Sequence, residues 1–432
     1  MQLASLQGWV DKIERTQVSG WAIDELMPTV RQAVDVFVNN SRVATVTAEQ
    51  YRDDLARKGY GDGKAGFWFD PSPYLSPGRN NIEIRYSGDG SVLLNGSTGV
   101  FVGPSSPVDH QDGNTNPWNN DGAFSYGEMW IATKACRQQI NRKISGDENI
   151  DWFSYSVRRY MAPALGLFNA PKPRENYRCL ILGATEGHME RELCRLGFKG
   201  KIVASDIADK ALARAAERSR AEGFANIDYI VADLNTASFA GAFDYIIAEG
   251  VLHHVREIRY CLGMLHDALA PDGRIIMVEH HAPLRFQLPQ AQTRWINAVL
   301  NVMPKKLRPF PRSVDDYLPP TSAESAVVYY AHPTKESVEA FDPSETISGL
   351  ALRSLLPQVF DIVEEKGFGG TLLSYMTGHF PFALADKDSF TNAWLQVLIE
   401  IENTLIQTGI LKDEFVFYVC KRSSASSGDV AR

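Results

Sequence analysis

The stretch "CLILGATEGHMERELCRLG", Cys179–Gly197, decides the fold. Its apolar run over Leu180–Leu182 predicts a buried strand, and the two glycines of Gly183–Gly187 predict a tight turn into a helix that stops at Gly197. Glycine lets a backbone approach a ligand, and a helix N-terminus offers N–H groups to an anion. The stretch therefore predicts a ligand site at the carboxyl end of a strand. The predicted buried residues of the helix are Met189, Leu193 and Leu196.

Strands and helices alternate from Tyr177 to about Val278, which predicts a parallel sheet covered by helices on both faces. The second strand, "GKIVASDIA", ends at Asp206, where a carboxylate can accept both hydrogen bonds of a ribose diol. The third, "IDYIVADLN", is predicted to end at Asp233, placed to meet an adenine amino group. The fourth, "FDYIIAEGVLHHV", ends near Glu249, and the fifth is "GRIIMVEHHAP".

These motifs resemble the class I S-adenosylmethionine-dependent methyltransferases, over roughly residues 150–285 and again near the C-terminus. The matching pieces are "LILGATEG", Asp206, Asp233, "FDYIIAEGVLHHV" and "LAPDGRIIMVE". Two late segments, "VFDIVEEKGF" and "DEFVFYVCKR", fit the reversed hairpin that closes a methyltransferase sheet. The resemblance implies S-adenosylmethionine as cofactor and an α/β fold: a Rossmann-like seven-stranded class I methyltransferase sheet with a helical cap insertion. A dinucleotide oxidoreductase would instead require G-x-G-x-x-G, which Thr185 breaks.

The resemblance places the cofactor along the carboxyl ends of the first four strands. Ile181 and Thr185 depart from the family pattern, in which an acidic residue and a second glycine are common, so Glu186 or Glu249 can supply the contacts to the methionine end. The predicted cofactor-binding residues are Gly183, Ala184, Thr185, Glu186, Gly187, Asp206, Ile207, Asp233, Leu234 and Glu249.

Methyl transfer from a sulfonium is an in-line displacement, so positioning of the acceptor carries much of the catalysis, and a base helps if the acceptor is a hydroxyl. Histidine is largely neutral at pH 7 and can accept a proton. His253 and His254 follow strand four, and His280 and His281 follow strand five. We favour His254 and His281 as bases, with His253 third, although packing or helix capping is the more common role for each one taken singly.

The sequence has no ligand spacing such as H-E-x-x-H, and we predict no metal. A metal-assisted variant would draw on Glu279, His280, His281, Asp315 and Asp316. The stretch "DPSET", Asp342–Thr346, has Asp, Pro and Glu at the spacing of a helix start, and it predicts a helix running on through "ISGLALRSLLPQ".

Three regions are predicted: an all-β sandwich module over 1–103, a linker over 104–122 and a methyltransferase domain over 123–432, with its cap insertion at about 283–342. In the module, apolar and polar residues alternate in "RQAVDVFVNNSRVATVTA" on both sides of Asn39 and Asn40, a pattern that predicts two strands joined as a hairpin. In the insertion, apolar spacing predicts a helix over the cofactor pocket, and a polar stretch can bind a polyol or be a solvated loop. The apolar residues are Trp295, Ile296, Val299 and Leu300; the polar ones are Arg308, Arg312, Asp315, Asp316 and Tyr317.

The module, with "GWVD" and "GWAIDE", is similar to β-sandwich modules that accompany bacterial enzymes of surface-glycan synthesis. That resemblance implies O-methylation of a sugar or glycan hydroxyl. Two alternatives stay open: methylation of a small secondary metabolite, and a non-catalytic glycan-binding protein whose methyltransferase half is degenerate.

Charge and apolar patterning exclude other classes. Lys and Arg number 44 against 52 Asp and Glu, and a net charge of −8 opposes nucleic acid as a partner. No segment reaches the roughly 20 apolar residues that span a bilayer, and the five cysteines are scattered without zinc spacing. We expect a cytoplasmic enzyme that takes a small-molecule or glycan acceptor, with a homodimer left open.

Overall fold

The computed structural model describes residues 6–75, 78–102, 129–167, 171–304, 307 and 330–423. The chain divides into two compact units, the first with Met1–Gln111, Leu234–Ala237 and Val255–Gly263, and the second with Asp112–Asp233, Ser238–His254 and Met264–Arg432. The predicted linker, 104–122, lies outside the described residues. So does the polar stretch of the predicted insertion, with Arg308, Arg312, Asp315, Asp316 and Tyr317. The boundaries 1–103 and 123–432 stay a prediction.

The first unit is rich in β-structure. Its elements are β1 (Leu6–Glu14), β2 (Gln17–Asp24), β3 (Ala33–Val38), β4 (Ser41–Thr47), β5 (Gln50–Tyr51), α1 (Asp53–Arg57), β6 (Lys64–Phe69), β7 (Gly78–Tyr86) and β8 (Val92–Val102). The strands follow one hydrogen-bonded order, β4-β3-β7-β8-β1-β2-β6-β5. A β-rich N-terminal region is confirmed, with one short helix in it; the sandwich arrangement stays a prediction.

The predicted hairpin joins β3 to β4. Val38 pairs with Ser41, and the two turn residues Asn39 and Asn40 have φ angles of 50° and 67°. Two successive left-handed residues form the turn that matches the twist of a hairpin, and Asn tolerates that conformation better than most residues. The alternating valines of β3 are buried, so the polar turn and the apolar strand together set this register.

The second unit holds a mixed sheet. Its strands are β9 (Arg178–Leu182), β10 (Lys201–Asp206), β11 (Ile227–Val231), β12 (Phe243–Glu249), β13 (Leu269–His280), β14 (Phe360–Gly369) and β15 (Phe415–Arg422). The order is β11-β10-β9-β12-β13-β15-β14, and β15 runs antiparallel to both of its neighbours. This confirms a Rossmann-like α/β unit. The third strand ends at Val231 rather than at Asp233, so Asp233 lies in the loop that follows it.

In the described part of this unit, two helices precede the first strand and the others come between strands along the chain. The helices are α2 (Lys134–Ser145), α3 (Trp152–Tyr160), α4 (His188–Arg195), α5 (Asp209–Ala221), α6 (Ile258–Ala268), α7 (Gln290–Val302), α8 (Lys335–Phe341), α9 (Gly349–Val359), α10 (Phe382–Ala385) and α11 (Ser389–Gln407). α6 alone extends from residues of the first unit into the second. Met189 and Leu193 of α4 are buried as predicted, but Leu196 is 45% exposed because it caps the end of that helix.

The prediction that Asp342–Thr346 starts a helix was wrong. α9 begins at Gly349, and Asp342 instead follows the last residue of α8. The Asp342 side chain accepts from the N–H and the hydroxyl of Ser344, and Thr346 has a φ of 48°, which no right-handed helix allows. Local polar bonds thus hold this segment as a turn.

The core of the second unit surrounds β9, whose residues Cys179–Leu182 are all inaccessible to solvent. Ile296, Val299 and Leu300 of α7 belong to the same core, so the predicted helix is present, while its function as a cap stays a prediction. Among the described residues, no helix combines the length and apolar content needed to cross a bilayer.

A buried carboxylate ties α11 to the turn after β14. Glu402 accepts backbone N–H bonds from Gly370 (3.1 Å), Leu372 (2.7 Å) and Leu373 (3.0 Å). Burial raises the pKa of Glu402, although these three bonds act in the opposite direction. The carboxylate therefore accepts from three backbone N–H groups that are buried away from solvent.

We expect Glu402→Ala to lower the free energy of unfolding by about 3 kcal/mol, because it leaves three buried N–H groups without an acceptor. Urea denaturation at pH 7 measures this. Glu400→Ala, an exposed position on the same helix, is the matched control and should change stability by less than about 0.5 kcal/mol. Equal losses for the two variants would contradict the assignment.

Candidate cofactor and histidine site

Asp206, at the end of β10, joins three strand ends. Its Oδ2 accepts from the Thr185 N–H at 2.9 Å and its Oδ1 from the Ala208 N–H at 2.8 Å, and its backbone oxygen accepts from Ala232. Burial raises the pKa of this carboxyl against the lowering effect of the backbone bonds. A carboxylate has about four acceptor positions, so capacity remains for ligand hydroxyls. Asp206 therefore shapes the loop, and its role in binding the ribose stays a prediction.

Thr185 adopts the conformation of the glycine it replaces. Its φ is 44°, in the left-handed region that a β-branched residue rarely occupies. The bond from its N–H to Asp206 helps to hold it there. The loop thus keeps the geometry of a glycine-rich turn at the cost of backbone strain.

The two glycines of the loop sit where a side chain has no room. At Gly183, with a φ of 66°, a Cβ would lie 3.0 Å from Val251; at Gly187, with a φ of 76°, it would lie 2.7 Å from Ala215. Val251 follows β12, so the glycine loop packs directly on the loop that leads to the histidines. Ala184 is buried within the turn.

Glu186 is engaged by arginines of α5. Its carboxylate pairs with Arg214 at 2.6 Å and with Arg218. In this arrangement the side chain is committed to α5, which favours Glu249 over Glu186 as the acidic contact for the methionine end.

Glu249 combines an exposed position with a raised carboxyl pKa. It ends β12 and is exposed to solvent, yet surrounding protein raises the pKa of its carboxyl, partly offset by a hydrogen bond from Trp152. Asp233 and Ile207 are half-buried in the loops after β11 and β10. Leu234 is buried and belongs to the first unit. The cofactor assignments of these four residues stay predictions.

His253 is held by a buried carboxylate. Its Nδ1 donates to Glu279 Oε2 at 2.9 Å, and Glu279, with no exposed surface, also accepts from the N–H groups of Val251 and Leu252. Burial alone would lower the pKa of His253, but Glu279, Glu345 and Asp342 together raise it above its usual value. For Glu279 the balance is mirrored: burial acts to raise its pKa, and His253 and the backbone bonds lower it. Each group thus favours the charged form of the other.

His254 differs from its neighbour in both bonding and charge. Ser344 Oγ donates to Asp342 Oδ1, so it accepts the Nδ1–H of His254 at 3.0 Å. That bond assigns the proton of the neutral ring to Nδ1 and makes Nε2 its proton-accepting nitrogen. Burial, together with the charges of His253, His280 and Arg285, lowers the pKa of His254 well below its usual value. The ring is neutral at pH 7.

His281 has both ring nitrogens in protein hydrogen bonds. Nδ1 donates to the Gly349 carbonyl at 2.7 Å, so Nε2 accepts from the Tyr418 hydroxyl at 3.0 Å. Burial lowers the pKa of His281 to about 4. These contacts suit a structural histidine that links β13 to α9 and β15.

Sequence reasoning did not foresee the partners of these histidines. His253, His280 and Glu345 form one group whose donor atoms lie within 4.8 Å of one another, and His254, Asp342 and Glu345 form another. Glu414 lies beside His280, with 3.4 Å between Oε2 and Nε2. The stretch "DPSET" contains both Asp342 and Glu345 and could have indicated them. Its spacing is also that of a helix start, which is why it predicted a helix instead.

Residues 173–310 match a family model described as a methyltransferase domain. The chain is 28% identical over 145 residues to the demethylmenaquinone methyltransferase of Thermus thermophilus, covering 33% of this chain and 60% of that protein. It is 30% identical over 121 residues to the ubiquinone/menaquinone biosynthesis C-methyltransferase UbiE of Yersinia enterocolitica, covering 27% of this chain and 48% of that protein. The chain thus spans about half the length of these relatives.

Among solved structures, an S-adenosylmethionine-dependent methyltransferase from Mesorhizobium loti aligns with 19% identity and a TM-score of 0.30, over 60% of this chain and 96% of that one. Coclaurine N-methyltransferase aligns with 13% identity and a TM-score of 0.32, over 64% and 72%.

Residues 173–310 are thus similar to a methyltransferase domain, and S-adenosylmethionine is the cofactor that this match supports. The residues present fit that group. Acidic side chains lie at the carboxyl ends of β10 and β12, with Asp206 and Glu249, and just after β11, with Asp233. Three acidic groups along one edge of the sheet suit a ligand carrying hydroxyl, amino and cationic groups.

The strain at Thr185 is testable. We expect Thr185→Gly to raise the free energy of unfolding by about 1 kcal/mol, because glycine adopts a positive φ without a Cβ clash. Urea denaturation of the full chain measures the change. Thr185→Ala retains the Cβ and should stay close to wild type; a Gly variant less stable than the Ala variant would show that the loop is not strained.

Proposed function

We propose that this protein transfers a methyl group from S-adenosylmethionine to a small-molecule acceptor. The observation that carries the proposal is the connection of Asp206 to the Thr185 turn at the carboxyl edge of the sheet, within the stretch that matches the methyltransferase model. Asp206 would hold the ribose diol, Asp233 the adenine amino group, and the Gly183–Gly187 loop with Glu249 the methionine end.

The bound cofactor supplies an electrophilic methyl group on its sulfonium. What remains for this chain is to orient an acceptor in line with that methyl and to take up the proton the acceptor loses. We assign the proton to His254 Nε2, because Ser344 fixes the tautomer and the ring is neutral at pH 7. His281, with both nitrogens bonded, is assigned to holding β13 in place.

The acceptor class is the finer part of the proposal. The curated relatives carry names of quinone-pathway methyltransferases, one of them a C-methyltransferase, and they lend no support to methylation of a sugar hydroxyl. We therefore place an activated ring carbon first and a sugar or other hydroxyl second. Transfer from S-adenosylmethionine labelled with ¹³C in its methyl group distinguishes them, because carbon-bound and oxygen-bound methyl groups differ in NMR shift.

Asp206→Asn should weaken S-adenosylmethionine binding by about 2 kcal/mol, or thirtyfold, since it removes the charge from hydrogen bonds to the ribose. Titration calorimetry measures the Kd. Asparagine keeps the size of the side chain, but its NH₂ group replaces one of the two oxygens that accept from Thr185 and Ala208. Unfolding curves must therefore accompany the titration.

Asp209→Asn, an exposed position at the start of α5, is the matched control and should bind the cofactor like wild type. Equal affinity of the Asp206 variant and this control would overturn the ribose assignment.

His254→Ala should reduce kcat about a hundredfold or more while the Kd for S-adenosylmethionine stays unchanged, because proton removal is lost and cofactor binding is not. His281→Ala serves as the comparison. It should lower stability through two broken buried hydrogen bonds but keep kcat within a few-fold of wild type. A His254 variant with near wild-type turnover would place the base elsewhere.

A further inference from the structure

Three segments distant in sequence converge on one point at the carboxyl edge of the sheet. His253 follows β12, His280 ends β13, and Glu345 lies in the turn between α8 and α9. Their donor atoms all lie within 4.8 Å of one another. Two imidazoles and one carboxylate form a donor set that divalent transition metals favour.

Two ligand atoms of this group are too far apart for a hydrogen bond, but their separation suits a shared ion. His253 Nε2 lies 3.8 Å from Glu345 Oε1. Hydrogen bonds of this type are about 2.7–3.2 Å long. Ligand atoms of a tetrahedral ion at about 2.1 Å are roughly 3.4 Å apart. Small side-chain movements would bring the atoms to that separation.

A carboxylate lies beside one nitrogen of each imidazole. Glu279 accepts from His253 Nδ1 at 2.9 Å, and Glu414 Oε2 lies 3.4 Å from His280 Nε2. Metal-binding histidines nearly always place such a partner on the nitrogen that does not bind the metal, which orients the ring. Phe415, stacked 4.1 Å from His280, further fixes that ring.

Asp342, outside the three ligands, adds a buried negative charge beside Glu345. Its Oδ1 accepts from the N–H and the hydroxyl of Ser344, and its Oδ2 lies 3.4 Å from His254 Nδ1 with no hydrogen bond within the described residues. A cation bound nearby would offset the cost of burying this carboxylate. The nearby guanidinium of Arg285 is engaged elsewhere, with the carbonyls of Glu345 and Pro343.

The turn that carries Glu345 is held in position. Ser348 donates through its N–H to the His253 carbonyl at 3.1 Å and through its hydroxyl to the Leu252 carbonyl at 3.0 Å. Arg285 donates to the Glu345 carbonyl of the same turn and itself has a positive φ of 53°. Backbone strain of this kind persists where surrounding bonds fix the structure, often at functional sites.

The geometry points to a binding site for one divalent transition-metal ion of the zinc or iron type, with His253, His280 and Glu345 as its protein ligands. Three protein ligands leave coordination positions for an oxygen atom of a small molecule. Val251, two residues before His253, packs on Gly183, so the ion would lie beside the cofactor loop. Metal binding stands as a property of its own, whether or not the domain transfers methyl groups.

The test is binding of Co²⁺ and Zn²⁺ to the full chain after chelator treatment, without cofactor or acceptor. Co²⁺ has visible absorption bands that report its ligands, and all five cysteines are buried, so bands of histidine and carboxylate ligation without a thiolate band are expected. Calorimetry should give one equivalent of Zn²⁺ per chain. His280→Ala and the isosteric Glu345→Gln should each weaken Zn²⁺ binding at least thirtyfold.

His188→Ala removes an exposed histidine outside the group and should bind Zn²⁺ like wild type. Unfolding curves establish that each variant is folded. Stoichiometric binding lost in Glu345→Gln and kept in His188→Ala supports the site. No stoichiometric binding by wild type, or equal affinity in all variants, overturns it and leaves the group as a network of ion pairs.

Discussion

The second unit depends on one buried carboxylate, that of Glu279. Fully burying a charge costs several kcal/mol unless it is well bonded, and here His253 Nδ1 and the N–H groups of Val251 and Leu252 provide the bonds. These contacts fix the loop after β12 to the end of β13. Through Val251 that loop supports the glycine turn, and through its carbonyls it anchors Ser348. Cofactor loop, histidines and the Asp342–Thr346 turn thus share one support.

Two acidic groups have opposite functions at this edge of the sheet. Asp206 accepts from backbone N–H groups and keeps acceptor capacity towards the predicted cofactor. Glu279 uses its acceptor positions for hydrogen bonds within the protein. Asp342 lies between these cases. Ser344 donates twice to its Oδ1, whereas its Oδ2 has no hydrogen bond within the described residues and lies 3.4 Å from His254 Nδ1. Carboxylates of similar burial therefore differ in their remaining capacity to accept hydrogen bonds, because the protein donates a different number of bonds to each.

Local patterns predicted the strands around β9 and the position of Asp206, because apolar runs and turn glycines act over a few residues. Local patterns gave wrong or incomplete predictions where contacts between distant segments determine the structure. The spacing in Asp342–Thr346 satisfies the rules of a helix start, yet Ser344 and the left-handed Thr346 hold it as a turn. The bonds of His281 to Gly349 and Tyr418 likewise join residues far apart in sequence. The match to the methyltransferase model ends at residue 310, whereas Asp342, Glu345 and Glu414 come later in the chain.

The place of β15 has a consequence for synthesis. This strand lies between β13 and β14 and pairs with both, although it is made after every other strand of the sheet. Until the ribosome has released Phe415–Arg422, β13 presents an unpaired edge and β14 has no neighbour, which is the kind of exposed edge on which nascent chains aggregate. Glu414, beside His280, emerges in the same step. Closure of the sheet and the arrival of the Glu414 carboxylate beside His280 therefore happen together, late in synthesis.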